Sequence, residues 1–260
     1  MKKIIFTFNF FTLISTSILQ GQEDLAKKGL DIATKAVEAD KGFGSVGVSL
    51  KMVLKNKNGQ ISERTLENKI FELDEDGDKS LIVFTSPNDI KGTATLTFTH
   101  KVGSDDQWLF LPAIQRTKRI SSSNKSGPFV GSEFAYEDLS SAEIEKYTYK
   151  FLDQKGDLIF LEQIPIDPKS GYTRQVVTYN AGQSYRVEKI DFYDRKNSLL
   201  KTLNYIEYVL YKDKFWRANK LKMVNHQTNK ETILEFSKYD FDVAFAENDF
   251  TENALKRASN

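Results

Sequence analysis

Apolar and polar residues follow two different periods along this chain, and the change of period divides it. Between residues 24 and 40, Leu25, Ile32, Ala36 and Val37 recur at roughly helical spacing among charges. Asp24 is a good N-cap and Gly42 with Gly44 stops the run, so the pattern predicts one helix. The period then becomes two. Val46, Val48, Leu50, Met52 and Leu54 alternate with Gly47, Ser49 and Lys51, and Asn58-Gly59 supplies a hairpin turn. The stretch 92–100 alternates most cleanly. Ala94, Leu96, Phe98 and His100 share one face, and Thr93, Thr95, Thr97 and Thr99 share the other. That predicts an antiparallel strand with one apolar, covered face and one face that is wetted or polar.

Further strand-like runs cover residues 61–73, 80–86, 107–111, 115–120, 145–152, 158–164, 173–179, 185–194, 199–211, 215–225 and 231–239, with a short helix near 252–257. About thirteen strands in a meander form a mainly β fold whose antiparallel sheet must curl or close. A curled sheet encloses an apolar concave face, and the opening helix is its natural cover.

The N-terminus changes this picture. Met1-Lys2-Lys3 precedes an apolar run from Ile4 to about Leu19, the n- and h-regions of a secretory signal peptide. Segment 1–22 is therefore expected to be a leader, and 23–260 a single domain, since no Pro- or Ser-rich tract, charge block or repeat interrupts 45–245. The chain has no cysteine, so a lipoprotein-type signal and a disulfide scaffold are both excluded. A periplasmic, unanchored protein is expected. Without Lys2 and Lys3 there are 35 bases against 36 acids, a net charge of −1. That balance favours neither nucleic acid as partner nor broad adsorption on anionic lipid.

Catalytic motifs are wanting. His100 and His226 are the only histidines and lie far apart, which supports no metal site. Gly42-Phe43-Gly44-Ser45-Val46-Gly47 matches GxGxxG, but it follows a helix and precedes a strand, the reverse of a dinucleotide site. Asp74-Glu75-Asp76-Gly77-Asp78 has its glycine at position four rather than six of a calcium loop, so an acidic hairpin tip is expected. No cofactor, no catalytic residue and no enzyme activity is expected. The chain's 19 Phe, 11 Tyr and 2 Trp serve either an aromatic core or a lined cavity, which periodicity alone does not separate.

One long motif remains. It comprises Lys91-Gly92-Thr93, then Trp108-Leu109-Phe110-Leu111-Pro112-Ala113-Ile114 with Arg116, Lys118-Arg119-Ile120, then Phe129-Val130-Gly131-Ser132-Glu133-Phe134-Ala135-Tyr136-Glu137-Asp138-Leu139. It resembles the outer-membrane lipoprotein-sorting-like proteins, relatives of the LolA/LolB carriers, with mild departures at Phe110, Ile114, Lys118 and Glu133. The resemblance implies an unclosed antiparallel β-barrel (a half-barrel) with a helical lid and an apolar cavity for lipid or lipoprotein acyl chains. It further implies a monomeric periplasmic carrier working beside an RND/MMPL-type inner-membrane exporter. The alternative is a non-catalytic sensor or adaptor of the same fold that binds a membrane protein partner. On this reading Leu96, Phe98, Trp108 and Phe110 point into the concavity, with Leu50 and Met52 from the first strand, while Leu109 and Leu111 pack under a helix or loop. Arg116, Lys118 and Arg119 are expected to complement Glu133, Glu137 and Asp138 across the serine-rich loop. With Tyr136 they form a rim that pins the loop, or lets residues 121–133 gate the cavity or meet a partner.

Overall fold

A computed structural model describes residues 11–257, with side chains from residue 20 onward. Helix α1 runs from Phe11 to Asp40, so it starts earlier than expected and passes unbroken through residue 22, the expected end of the leader. Residues 1–10 of that leader lie outside the described residues. Thirteen strands follow: β1 (Ser45–Lys55), β2 (Ile61–Phe71), β3 (Lys79–Ser86), β4 (Ala94–Phe98), β5 (Asp106–Leu111), β6 (Arg116–Ile120), β7 (Tyr147–Lys155), β8 (Leu158–Pro165), β9 (Tyr172–Asn180), β10 (Arg186–Asp194), β11 (Leu199–Tyr211), β12 (Phe215–Asn225) and β13 (Lys230–Asp240). Helix α2 (Glu252–Arg257) closes the described chain.

All thirteen strands belong to one sheet, ordered β6-β5-β4-β3-β2-β1-β13-β12-β11-β10-β9-β8-β7 and antiparallel throughout. Two meanders, β1–β6 and β7–β13, are thus joined by the pairing of β1 with β13. The edges β6 and β7 do not pair with each other, which leaves the barrel unclosed. Each edge is protected differently. β6 is five residues long and carries exposed Arg116, Lys118 and Arg119, which discourage a further strand from adding. β7 is overlaid by α1, and Gly29 permits the approach. A Cβ there would sit 2.9 Å from the backbone nitrogens of Lys150 and Phe151.

The segment 121–146, which links β6 to β7, is a strap folded across the concave face. Its middle doubles back on itself, with Phe129 N–H donating to Phe134 O at 2.7 Å and Glu137 N–H to Lys125 O at 2.9 Å. Gly131 takes a φ of 77° at the bend, where only glycine is unstrained. Phe129, Phe134 and Tyr136 from the strap are buried among Val46, Val48, Leu50, Met52, Leu66 and Phe84 of β1–β3. This cluster is the main core.

Strand parity then sorts the remaining side chains. On the outer face, Leu81 of β3, Ala94 and Leu96 of β4 and Phe110 of β5 pack beneath Phe250 and Leu255, the latter on α2, with Phe98 and Trp108 beside them. The four threonines around β4 occupy the concave face, yet Thr93, Thr95, Thr97 and Thr99 are 1–5% exposed. Of the two alternatives for the threonine face, wetted or polar, the structure shows a polar face that is dry. The strap covers it, and Gln107 of β5 bridges the two by donating to Thr97 Oγ1 at 3.3 Å and Tyr136 O at 2.9 Å.

Candidate functional site

The strap fills one part of the concave face, and α1 roofs another. Ile32 and Ala33 of α1 seat on Ile159, Leu161, Val177 and Tyr179 of β8 and β9, burying the helix's apolar stripe. Beyond this contact the C-terminal turn of α1 lines a cavity of about 500 Å³. Ala36, Val37 and Asp40 form its roof, and Val46, Ile70, Leu221 and Ala218 form much of its floor. Tyr179, Tyr205, Tyr208, Trp216 and Tyr239 supply aromatic walls, and Leu139 to Glu143, the last part of the strap, closes one side.

Glycines and a carboxylate set the end of the roof. Gly42 and Gly44 have φ of 91° and 69°, and their N–H groups each donate to one oxygen of Glu72 at 2.7 Å. The GxGxxG match is thus a helix stop held by a carboxylate. Arg217 is ion-paired with Asp40 and lies 5.5–5.7 Å from the ring centres of Phe43, Phe215 and Phe241. Desolvation raises the Asp40 pKa from its ordinary value against the opposing pull of Arg217, although half of the side chain is exposed. Arg186 stacks 4.3 Å over Tyr208 and 4.6 Å over Trp216. On the opposite side burial, reinforced by Glu143 and Glu72, pushes Asp78 up to about 7. Here the strap is docked by Ser141, whose N–H donates to Thr99 Oγ1 at 3.2 Å and whose hydroxyl donates to Glu143 at 3.0 Å. The cavity is therefore apolar and aromatic inside, with charged groups of both signs around it.

Leu50 and Met52 lie on the concave face, in the part filled by the strap. Leu96, Phe98, Trp108 and Phe110 lie on the other face of the sheet, under and beside α2, and do not line this cavity. That parity reverses the expected one, because α2 covers the convex side of β3–β5. Leu109 pairs with Thr95 and so alternates to the strap side, as does Leu111 by the same parity.

The rim residues are corrected in the same way. The basic and acidic sets do not meet. Arg119 pairs with Asp106 on the adjacent strand, while Arg116 and Lys118 are exposed. Glu133, Glu137 and Asp138 do pin the strap, but to β9, β11, β12 and the β8–β9 turn, and the Tyr136 carbonyl is held by Gln107 of β5. Asp138 Oδ2 meets Lys201 Nζ at 2.6 Å with both side chains about 5% exposed. Tyr172 donates its hydroxyl to Asp138 at 2.8 Å. Glu133 accepts from Asn225 at 2.7 Å, and Glu137 from Ser170 and Gly171 at 2.8 Å each. Residues 121–133 do not line the cavity; residues 139–143 do. Lys201, Tyr172 and Asn225 carry no motif of their own, and only their burial beside the strap marks them.

The two histidines sit in separate networks. His100 lies 2.6 Å from Asp76 and 3.3 Å from Asp106, and the hydrogen bond to Asp76 raises its pKa. His226 Nε2 lies 2.8 Å from Thr202 Oγ1, which donates to Asp191. Among the described residues, no group of three or more His, Cys, Asp or Glu side chains could hold a metal ion, and no helix is long and apolar enough to cross a membrane.

Comparison with solved structures places this geometry. A domain from Vibrio parahaemolyticus described as an outer membrane lipoprotein-sorting protein is 51% identical, with a TM-score of 0.87, over 89% of this chain and 100% of that one. The chain belongs to the outer membrane lipoprotein-sorting-like family. More distant solved structures are also similar: a DUF1329 family protein from Desulfovibrio piger is 25% identical with a TM-score of 0.81 over 89% and 99% of the two chains. A LolA superfamily protein from Nitrosomonas europaea shares the fold at 20% identity and a TM-score of 0.68, over 86% and 97%. A family profile described as that of an uncharacterized protein matches residues 76–257. A comparison of the sequence with curated proteins finds no match. The half-barrel is thus a fold that this chain shares with these solved structures.

Proposed function

We propose that this protein is a non-catalytic carrier that shields an acyl chain of a lipid or lipidated protein in the cavity beneath α1 and passes it between envelope components. The observation that carries the reading is the roofed, aromatic-walled cavity of about 500 Å³ in a lipoprotein-sorting-like half-barrel. Its size falls within the roughly 300–1,000 Å³ range of small-molecule sites. Each buried methylene contributes about 0.8 kcal/mol, so one chain binds firmly without any covalent step. Release requires only that α1 shift, because the sheet's hydrogen bonds stand without it. The periplasm is the compartment in which such a carrier would work, and the basic, apolar N-terminus would take it there.

Partnership with an RND/MMPL-type inner-membrane exporter completes the proposal. Transfer of a fluorescent acyl lipid between donor and acceptor vesicles tests carriage itself. The expected result is a transfer rate that rises with protein concentration and saturates with acceptor. No acceleration over the protein-free rate would contradict it. Co-purification of an exporter of that class with tagged protein from envelope extracts tests the partnership separately.

A further inference from the structure

The cavity holds polar atoms that a plain hydrocarbon chain would leave without partners. Four strand-borne tyrosines line it: Tyr179, Tyr205, Tyr208 and Tyr239. Two are satisfied within the protein, Tyr208 donating to Val187 O and Tyr239 to Ala218 O at 2.9 Å. Among the described residues the hydroxyls of Tyr179 and Tyr205 have no such acceptor, and neither is sealed off from the cavity that they line. A phenol that lines an apolar cavity usually finds a partner for its O–H. The two are also electrostatic neighbours. Burial, followed by the nearby Tyr205 phenol, pushes the Tyr179 pKa up, and burial raises that of Tyr205. Both phenols are therefore neutral donors. On the β2 wall, Asn68 Oδ1 is buried with no donor, so the lining has unmet demand of both kinds.

We propose that the cavity binds not the acyl chain alone but the chain together with the carbonyl that links it to its headgroup, an ester or amide, received by Tyr179 and Tyr205. Asn68 then accepts from the hydroxyl or N–H beside that linkage. This rests on the carrier reading and deepens it. A carbonyl anchored at this depth fixes how far the chain enters and distinguishes acyl cargo from other apolar molecules.

The test compares two probes of equal chain length and headgroup, monohexadecanoyl glycerol and its ether analogue monohexadecyl glycerol, by isothermal titration. Wild-type protein is expected to prefer the acyl compound by about threefold to tenfold, the size of one neutral hydrogen bond. In the Tyr179→Phe/Tyr205→Phe double variant the preference is expected to fall to within about twofold. Equal affinity of wild-type protein for the two probes, or a preference that survives in the folded double variant, would overturn the inference while leaving carriage intact. Binding of neither probe would overturn the carrier reading and this inference with it.

Discussion

At the scale of single residues, three charged side chains define how the site is held and how it responds to pH. Lys201 and Asp138 form an ion pair about 5% exposed, with Tyr172 donating to the carboxylate and the Lys201 ammonium also donating to Glu133 O. Removing one partner of such a pair strands the other, at a cost of about 3–5 kcal/mol. Lys201→Met is therefore expected to lower stability by that amount in urea unfolding, and Lys201→Met/Asp138→Leu to recover much of it. Full additivity of the two single losses would show that the side chains do not act as a pair. Asp78 gives the pH response. Its folded pKa of about 7 lies above the unfolded carboxylate value, so its ionisation opposes folding. The penalty is absent below about pH 4, grows as pH rises towards 7, and is complete above that. Asp78→Asn should raise the melting temperature by ~2–8 °C at about pH 8 and little at about pH 4. Equal shifts at both pH values would remove Asp78 from this role.

At the scale of elements, the fold was legible in the sequence because its signals are local. Period-two alternation and Asn58-Gly59 mark strands and a turn between them, and the strand runs read correctly even for β11 and β12. Which face of a strand looks inward is not local. The alternation of Leu96 with Thr95 and Thr97 shows two unlike faces, but α2, some 150 residues later, decides that the leucine face is the convex one. The threonine face then becomes a dry polar layer under the strap. The same reason hid Lys201 and Tyr172, which acquire their roles only from a strap remote in sequence.

Two substitutions separate these elements. Trp108→Ala, on the α2 side, should cost about 2–4 kcal/mol of stability and leave acyl-probe affinity within twofold of wild type. A large loss of affinity would return Trp108 to the cavity. Gly29→Val forces α1 off the β7 backbone, with an expected cost of about 1–3 kcal/mol and faster release of bound probe in stopped-flow dissociation. An unchanged release rate would mean that α1 does not retain the ligand.

At the scale of the whole molecule, two meanders joined through β1 and β13 make a half-barrel whose concave face is divided. The strap fills one part with Phe129, Phe134 and Tyr136, and α1 roofs what is left. Stability and binding are thereby assigned to different regions. The strap-side core holds the sheet's curvature, and the α1 side keeps an opening that one helix can cover or expose. The central claim is that this remaining space carries an acyl chain. Native mass spectrometry of protein purified from its own envelope tests it most directly, with Ala218→Trp as the variant that fills the cavity. Wild-type protein is predicted to carry one lipid per chain, and folded Ala218→Trp to carry none. Wild-type protein without lipid, or a variant that keeps it, would contradict the account.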